Sequence, residues 1–524
     1  MSFRALWAAQ MASNVAIWMH TVSVAWMLTS TGSATTVVAA VQTAITLPFF
    51  LLALPAGVLV DAIDRRPVLV SMQFVIASIS LLLALFTATG AIGLAGLLFA
   101  TLGMGAASAI SIVAWQSLIP ELVDRPLVPA AATLDGISFN AGRIAGPALG
   151  GLLLSLAQPH WIFGLNVAAF ALAGLAFWRW SPTRAERAAR ESVGRESVGR
   201  ALESGVRYVR HSPLLRRLLL RLILWTLPAS LIWALLPLIA HDELALGSGG
   251  FGALFASLGV GAVLGGVILQ PLRARMGPNA VLASASLAYG GSFFVIAVVP
   301  SFPAVAFALT VAGAAWITVV SMVMALAQVS LPPWVRARGL AIVLLVHQGC
   351  QAIGSLLWGV VGDVVGVTWA LVIAGVALLA AGASVRWFGL RSMDGVDPVP
   401  VSMWTEPGPI ADAARGPVLV LVDYHVRPEA SERFLAAMEQ LGQSRKRIGA
   451  RRWEVYRHAT CPHRFVEAYV VSSWGVHVHQ ESVRWTRADK RIRDAVDSLA
   501  ETPPTVQRLF AAIGAQGERA GQTD

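Results

Sequence analysis

The stretch Asn140-Ala-Gly142-Arg143-Ile-Ala-Gly146-Pro147-Ala-Leu-Gly150-Gly151 sets four glycines, a proline and an arginine inside an apolar segment running from about Val128 to Ala157. Glycine and proline weaken a helix in water. In a bilayer, small residues let helix backbones approach closely, and neighbouring helices re-satisfy the hydrogen bonds that proline frees. The stretch therefore reads as a membrane helix built to pack and bend. Arg143 puts a charge near mid-segment, costly in lipid, so its side chain is expected to face a cavity or a partner and to be functional.

Working outward, a hydrophobic fraction of 56% with 13% charged residues over 524 positions indicates a polytopic membrane protein. The charge is uneven: residues 1–416 carry 23 basic and 16 acidic side chains, and residues 417–524 carry 16 and 13. The chain is thus two objects in series. Its net charge of +10 comes from 37 arginines and two lysines, Lys446 and Lys490. Membrane proteins collect arginine in cytoplasmic loops, so no nucleic-acid partner is read from it. Cys350 and Cys461 make no disulfide framework, and the first apolar span is too long for a cleavable signal peptide. No G-x-x-x-x-G-K-[ST] loop is present, which disfavours an ATP-driven pump.

About 20 apolar residues suffice to cross a bilayer, and twelve such segments are counted. The first six lie near Leu6 to Leu28, Thr36 to Val60, Val68 to Thr87, Ile92 to Trp115, Val128 to Ala157 and Trp161 to Trp178. The second six lie near Leu218 to Ile239, Phe251 to Leu269, Ala280 to Val299, Val305 to Val329, Gly339 to Val361 and Thr368 to Phe388. Alternate loops hold Arg65 and Arg66, Arg125, ten arginines from Arg179 to Arg217, Arg273 and Arg275, Arg336 and Arg338, and Arg386 and Arg391. The loops between have no lysine or arginine, which places both termini and the charged tail in the cytoplasm. The expected divisions are a six-helix half at 1–180, a cytoplasmic connection at 181–217, a second half at 218–390, a linker at 391–416, an α+β domain at 417–512 and a last piece at 513–524. The connection holds the repeat Arg190-Glu-Ser-Val-Gly-Arg-Glu-Ser-Val-Gly-Arg200 and a basic amphipathic run through Tyr208, which suits either an interfacial helix or a solvated linker helix.

After the second span, Gly57-Val-Leu-Val-Asp61-Ala-Ile-Asp64-Arg65-Arg66-Pro-Val-Leu69 resembles the signature loop of the Major Facilitator Superfamily, with Ala62 and Asp64 replacing its usual basic residue and glycine. The resemblance implies the Major Facilitator fold and a gating latch in which Asp61, backed by Gly57, Arg65 and Arg66, meets the start of span eleven near Arg336 and Arg338. The matching place in the second half, Gly266 to Arg273, has Gln270 where the aspartate belongs. The opening stretch resembles the core of the superfamily's fifth-helix exporter motif. By that resemblance Gly142, Gly146, Pro147, Gly150 and Gly151 pack span five against span eight at the interface between the halves. Finer likeness is to the branch containing the enterobactin exporter, carried by Phe3-Arg4-Ala-Leu-Trp7-Ala-Ala-Gln10 with Asn14 and Trp18, by Trp115 to Val123, and by Phe139-Asn140-x-x-Arg143. It implies export of a siderophore-like, drug-like or other amphipathic small molecule.

On span one, Trp7, Gln10, Asn14, Trp18 and Thr21 share a helical face that could line a cavity, and His347, Gln351, Ser355 and Trp358 repeat the spacing on span eleven. Trp225 and Trp233 are expected as interfacial anchors. A buried carboxylate or imidazole can be tuned to titrate near neutral pH, so Asp135 or His347 is expected to carry a coupling proton, while Arg143 attracts an anionic group on the substrate. Asp135 and Arg143 are about 12 Å apart along a helix and are read as sharing a face.

The tail reads β-α-β-β-α-β, which suggests a ferredoxin-like domain. With Ser473-Trp474-x-x-His477 it resembles the antibiotic-biosynthesis-monooxygenase type of dimeric α/β barrel, which implies a homodimer through this domain. His458, Cys461, His463, His477 and His479 match no standard zinc spacing, so no metal and no cofactor is expected, and a regulatory or dimerising role is read over a catalytic one. The rival readings are an importer of the same fold and a membrane-tethered enzyme or sensor acting through the tail.

Overall fold

A computed structural model of the chain describes residues 3–180, 198–267, 275–390, 397–403 and 417–510. They form two compact units, the first made of Met1–Arg195, Leu220–Val323 and Leu344–Gly389, the second of Glu196–Leu219, Met324–Val343 and Leu390–Asp524.

In the first unit, helices α1 (Phe3–Ser30), α2 (Thr35–Ala62), α3 (Arg65–Ala88), α4 (Leu94–Leu122), α5 (Val128–Leu156) and α6 (Pro159–Arg179) make one bundle. Within it α3 packs on α6 and α4, α1 on α5 and α6, and α2 on α4. Leu6, Val60, Leu69, Trp115, Leu118, Phe177 and Trp180 form a buried cluster among them. The other six-helix set is α8 (Pro213–Ala229) running into α9 (Leu231–Leu238), then α10 (Ser248–Val267), α11 (Pro278–Val298), α12 (Phe302–Ser330), α13 (Arg336–Val365) and α14 (Val367–Ala383). Pro228 and Pro237 remove backbone donors around the break at Ser230, and a π-helical turn at Ile239–Glu243 follows.

Among the described residues ten helices are long and apolar enough to cross a membrane. Helices α1 and α5 are as long, at 28 and 29 residues, but are not among the ten. They carry Gln10, Asn14 and His20, and Asp135, Asn140 and Arg143, which dilute their apolar character. By length and composition, ten of the twelve expected spans are thus met among the described residues.

The arginines at the helix ends find carbonyls. Arg66 donates to the carbonyls of Phe177 (3.3 Å) and Trp178, closing the end of α6, and Arg65 pairs with Glu121 at the end of α4. Arg221 does the same for the second set: only 2% exposed, it donates to Ala381 O (3.1 Å), Ser384 O (2.8 Å), Ser384 Oγ (2.7 Å) and Phe388 O (2.8 Å). Carbonyls at a helix C-terminus run short of intrahelical donors, and a guanidinium fork satisfies several at once.

The second unit holds α7 (Val198–Arg210), the C-terminal end of α12, the N-terminal end of α13, and the charged tail. The tail runs β1 (Val418–His425), α15 (Ser431–Ile448), β2 (Arg452–Arg457), β3 (Arg464–Val471), a helical stretch from Trp474 through Arg484, α16 (Arg487–Asp497) and β4 (Thr505–Phe510). All pairings are antiparallel, in the order β2-β3-β1-β4. Alternate residues of β1 and β3 are buried against Phe434, Met438, Leu441 and Trp485. Thr486 and Asp489 form a reciprocal capping box that starts α16. The barrel expected from the monooxygenase resemblance is overturned: among the described residues the sheet is open, with β2 and β4 as its edges. Four strands are too few to close, since small barrels need about eight.

Helix α7 is neither a bare linker nor exposed all round. Its Ser204, Tyr208 and Val209 are buried, Ser204 accepts from Arg338 Nη1 (2.8 Å), and Tyr208 meets Trp334 edge-on at 5.6 Å. Burial pushes the Tyr208 hydroxyl up to about 12. The Arg190–Arg200 repeat lies outside the described residues but for its last three positions.

Candidate functional site

The site is built where α5 meets α10. Gly142, Gly146 and Gly150 recur every fourth residue and so share one face. That face lies on α1: a methyl group at Gly142 would sit 2.8 Å from Asn14 Cβ, at Gly146 2.5 Å from Trp18 Cβ, and at Gly150 3.3 Å from Met19 Cα. The expectation that these three pack span five on span eight is thus corrected. Their partner is span one, because the four-residue spacing turns them away from the residues that meet α10. Gly151, one position further round, does meet α10, where a methyl would lie 2.6 Å from Gly252 Cα, and the Pro147 carbonyl lies beside Gly252.

From that contact the two helices separate. Ile144 reaches Gly259, but a methyl at Gly136 or Gly266 would meet nothing within 4 Å. The gap is a cavity of about 540 Å³. Helix α5 lines it with Gly136, Ile137, Asn140, Arg143 and Ile144, α10 with Phe255, Leu258, Ala262 and Val263, α9 with Trp233, and α12 with Gly313, Trp316 and Ile317. It lies toward the arginine-bearing ends of the helices and is closed at the arginine-free ends. There Trp26 stacks on Phe251 at 5.6 Å, and Asp363 of α13 accepts from Thr35 N (2.7 Å) and Thr36 N (3.1 Å) at the start of α2. A carboxylate on a helix N-terminus takes up unsatisfied donors and favours the dipole.

Arg143 points into this cavity with its guanidinium carbon 4.1 Å from the Trp233 ring centroid and 5.4 Å from that of Trp316. Among the described residues it has no hydrogen-bond or carboxylate partner. Two cation–π contacts supply about 0.5–2 kcal/mol each, against several kcal/mol to desolvate an ion. The rings hold the charge in place and do not neutralise it.

Trp225 and Trp233, expected at the membrane interface, are instead interior: 1% and 6% exposed, they join Trp316, Tyr289 and Phe255 in one aromatic cluster with centroids 5.2–5.5 Å apart. An indole in an apolar span carries no sequence signal for which way it points, and Trp316 and Phe255 were missed for the same reason.

The polar face of α1 is spent inside its own half. Asn14 Nδ2 donates to Ser138 Oγ (3.1 Å), Gln10 Nε2 reaches Asn14 Oδ1 (3.4 Å), and Ser13 donates to Gln73 (3.2 Å). Gln10 and Asn14 do not line the cavity, while Trp18 borders it through Trp233 (6.0 Å) and Phe255 (6.5 Å). Asp135 and Arg143 have different neighbours, since Asp135 accepts from Trp115 Nε1 of α4 at 2.7 Å. Eight residues at 100° each leave them about 80° apart around the helix. His347 lies behind Trp316 at 5.6 Å and within reach of Thr226 (3.4 Å) and Gln351 (3.3 Å), which in turn accepts from Gln42 of α2 (3.4 Å). In the signature loop the side chain of Asp61 lies outside the described residues, as does Gln270, whereas Arg336 donates to Leu331 O (3.2 Å).

In the tail, Arg445 is buried between Glu467 (3.2 Å) and Glu481 (2.9 Å). Burial opposes its charge, but the two carboxylates and Tyr469 outweigh it and hold the guanidinium well above its ordinary pKa. His477 accepts from Arg508 Nε (3.1 Å), and burial drives it down to about 4. Asp489, though buried, is held below the carboxylate range by Arg447 and its hydrogen bonds. No group of three or more metal-ligating side chains is found among the described residues.

A two-half helical body with a cavity at the seam defines a solute carrier, and sequence comparison agrees. The profile of the transmembrane secretion effector family of the Major Facilitator Superfamily matches residues 1–515, and the chain belongs to that family. It is 26% identical over 334 residues, 61% of this chain and 79% of the relative, to the multidrug efflux pump Tap of Mycolicibacterium fortuitum. A segment of 89 residues, 17% of this chain and 19% of the relative, is 30% identical to the putative multidrug resistance protein MdtD of Pectobacterium carotovorum. In fold it resembles a bacterial homologue of the lysosomal transporter Spinster in an inward-facing, occupied conformation (TM-score 0.60, 14% identity, 75% of this chain and 97% of that one). It also resembles the nucleoside transporter NupG (TM-score 0.57, 14% identity, 74% and 100%). The chain is a multi-pass bacterial membrane protein and a secondary-active transporter of small molecules, not an enzyme.

Proposed function

We propose that this protein exports an amphipathic small molecule, drug-like or siderophore-like, across the bacterial cytoplasmic membrane by alternating access with protons as the coupling ion. All twelve long helices span the membrane, and both termini and a ferredoxin-like tail lie in the cytoplasm. The observation that carries this reading is the seam between α5 and α10, closed at Gly151 and open around Arg143 on the arginine-bearing side, where a cytoplasmic cargo would enter. Direction is supported by the fifth-helix glycine core and by the likeness to a protein named as a multidrug efflux pump. Arg143 contacts the cargo. Asp135 or His347 carries the proton, His347 having the better position because it shares Trp316 with the cavity. Asp61, Arg65 and Arg66 latch the cytoplasmic ends in the opposite state, and the exposed edge strand β4, with Val506, Leu509 and Phe510, serves for pairing with a second tail.

Proteoliposomes with an imposed proton gradient test this. Protein in the inside-out orientation should concentrate cargo when the lumen is acid. Asp135→Asn and His347→Ala should each be compared with the parent, and one of them should uncouple transport from the gradient. If both keep full proton-driven transport, the coupling assignment is wrong. If cargo moves only in the opposite sense, the protein is an importer of the same fold.

A further inference from the structure

The cavity says something about cargo charge that direction of transport does not. We propose that it selects organic anions with a flat or aromatic body and rejects lipophilic cations of the same size. The proposal rests on the transport reading only in taking this cavity as the cargo's site.

Among the described residues Arg143 is the one charged side chain lining the cavity, and no carboxylate among them lies within salt-bridge reach of it. Asp135, the acid nearest to it on the same helix, is bound to Trp115. His347, behind Trp316, is neutral or positive but never negative. The field inside therefore has one sign, and in a site walled by apolar groups it is poorly screened.

Geometry sharpens the class. Trp233 and Trp316, whose own centroids are 5.2 Å apart, lie to one side of the guanidinium, which leaves N–H groups on its open edge for an acceptor. A carboxylate, sulfonate, phosphate or phenolate meets that edge with charge-assisted hydrogen bonds. Around it Ile137, Phe255 and Leu258 offer apolar surface, and the amide of Asn140 is already donating to Gly136 O (2.8 Å). A volume of about 540 Å³ holds a body of two to four fused rings. A cation of that shape finds the same apolar walls but meets Arg143 with no counter-charge.

The test uses a matched pair, naphthalene-2-sulfonate and N-methylquinolinium, whose bicyclic bodies are alike and whose charges are opposite. Binding to the purified full-length protein is read by equilibrium dialysis, and movement by counterflow in proteoliposomes. The anion should bind at least tenfold more tightly than the cation, Arg143→Gln should weaken anion binding at least tenfold, and Arg143→Lys should restore part of it. Asn140→Asp, which keeps size and sets a carboxylate in the cavity one turn from Arg143, should cancel or invert the preference. This variant decides the matter if Arg143→Gln does not fold. Equal binding of the two ions, no binding of either, or an Asn140→Asp preference unchanged from the parent overturns the proposal. An anion that binds here but is never moved leaves this inference standing and removes the transport role of the cavity. Cations moved as well as anions do the reverse.

Discussion

On α5 one face lies against α1 and another against α10, and both are made of small residues. At Gly142, Gly146 and Gly150 an added methyl would strike backbone or Cβ atoms of Asn14, Val15, Trp18 and Met19 along three turns. On the other face contact is made at Gly151 and through Ile144, and is gone by Gly136. The first face is a seam within one half, closed along its length. The second joins the halves and is closed at one end only. Glycine spacing marks close approach in both cases and does not tell which approach must come undone during a cycle. A seam that opens is recognised by the gap at its other end.

Substitutions that fill each face should separate the two. Gly146→Val puts branched carbon onto Trp18 Cβ and the Val15 carbonyl, and overpacking against backbone costs about 3 kcal/mol or more. The expected outcome is a large drop in melting temperature in detergent, or no monodisperse protein. The tail, which has neither seam, provides the next test. Because His477 titrates at about 4 when folded and near 6.5 when unfolded, its contribution is complete above pH 6.5 and lost as pH falls toward 4. By pH 5 the tail should lose about 2 kcal/mol, seen as faster amide exchange in β1 and β3 after correction for intrinsic rates, with α1 and α5 unaffected.

Gly151→Leu should give folded protein in which the arginine-free ends no longer close. A tenfold fall in the population shown here, about 1.4 kcal/mol, should be read as a longer spin-label distance between the C-terminal end of α5 and the N-terminal end of α10. Should Gly151→Leu unfold the protein as Gly146→Val does, the distinction between the faces disappears. The smallest effect is expected from Asp363→Asn. The amide keeps one acceptor for Thr35 and Thr36 but loses the charge, a change of about 1 kcal/mol in the same distance measurement.

Much of the plan was legible in the sequence because it is written in periodicity and composition. The long apolar segments and the strands of the tail fall within a few residues of where pattern places them. Partner choice was not legible. In the state seen here Arg66 holds the end of α6, and Asp363 finds Thr35 across 328 positions of sequence. The cavity wall was the least visible part. Arg143 announces itself by being charged, whereas Trp316 and Phe255 are aromatic residues in apolar spans, and only packing turns them toward it. The helical wheel already separates Gly142, Gly146 and Gly150 from Gly151; what it lacks is the identity of the neighbouring helices.

The packing of Trp334 has a practical consequence for anyone dissecting this protein. Tyr208 meets that indole edge-on, the Arg484 guanidinium lies 5.0 Å from its centre, Arg447 reaches Tyr208 at 5.8 Å, and His211 contacts Gln443 at 3.3 Å. Cutting the chain ahead of Val418 would strip these aromatic groups of cover and hand a sticky surface to the solvent. A truncated version that loses activity would then report on aggregation, not on whether the tail takes part in transport. Point changes such as Arg484→Gln or Gln443→Ala, which loosen the contact and leave the domain attached, are the cleaner dissection.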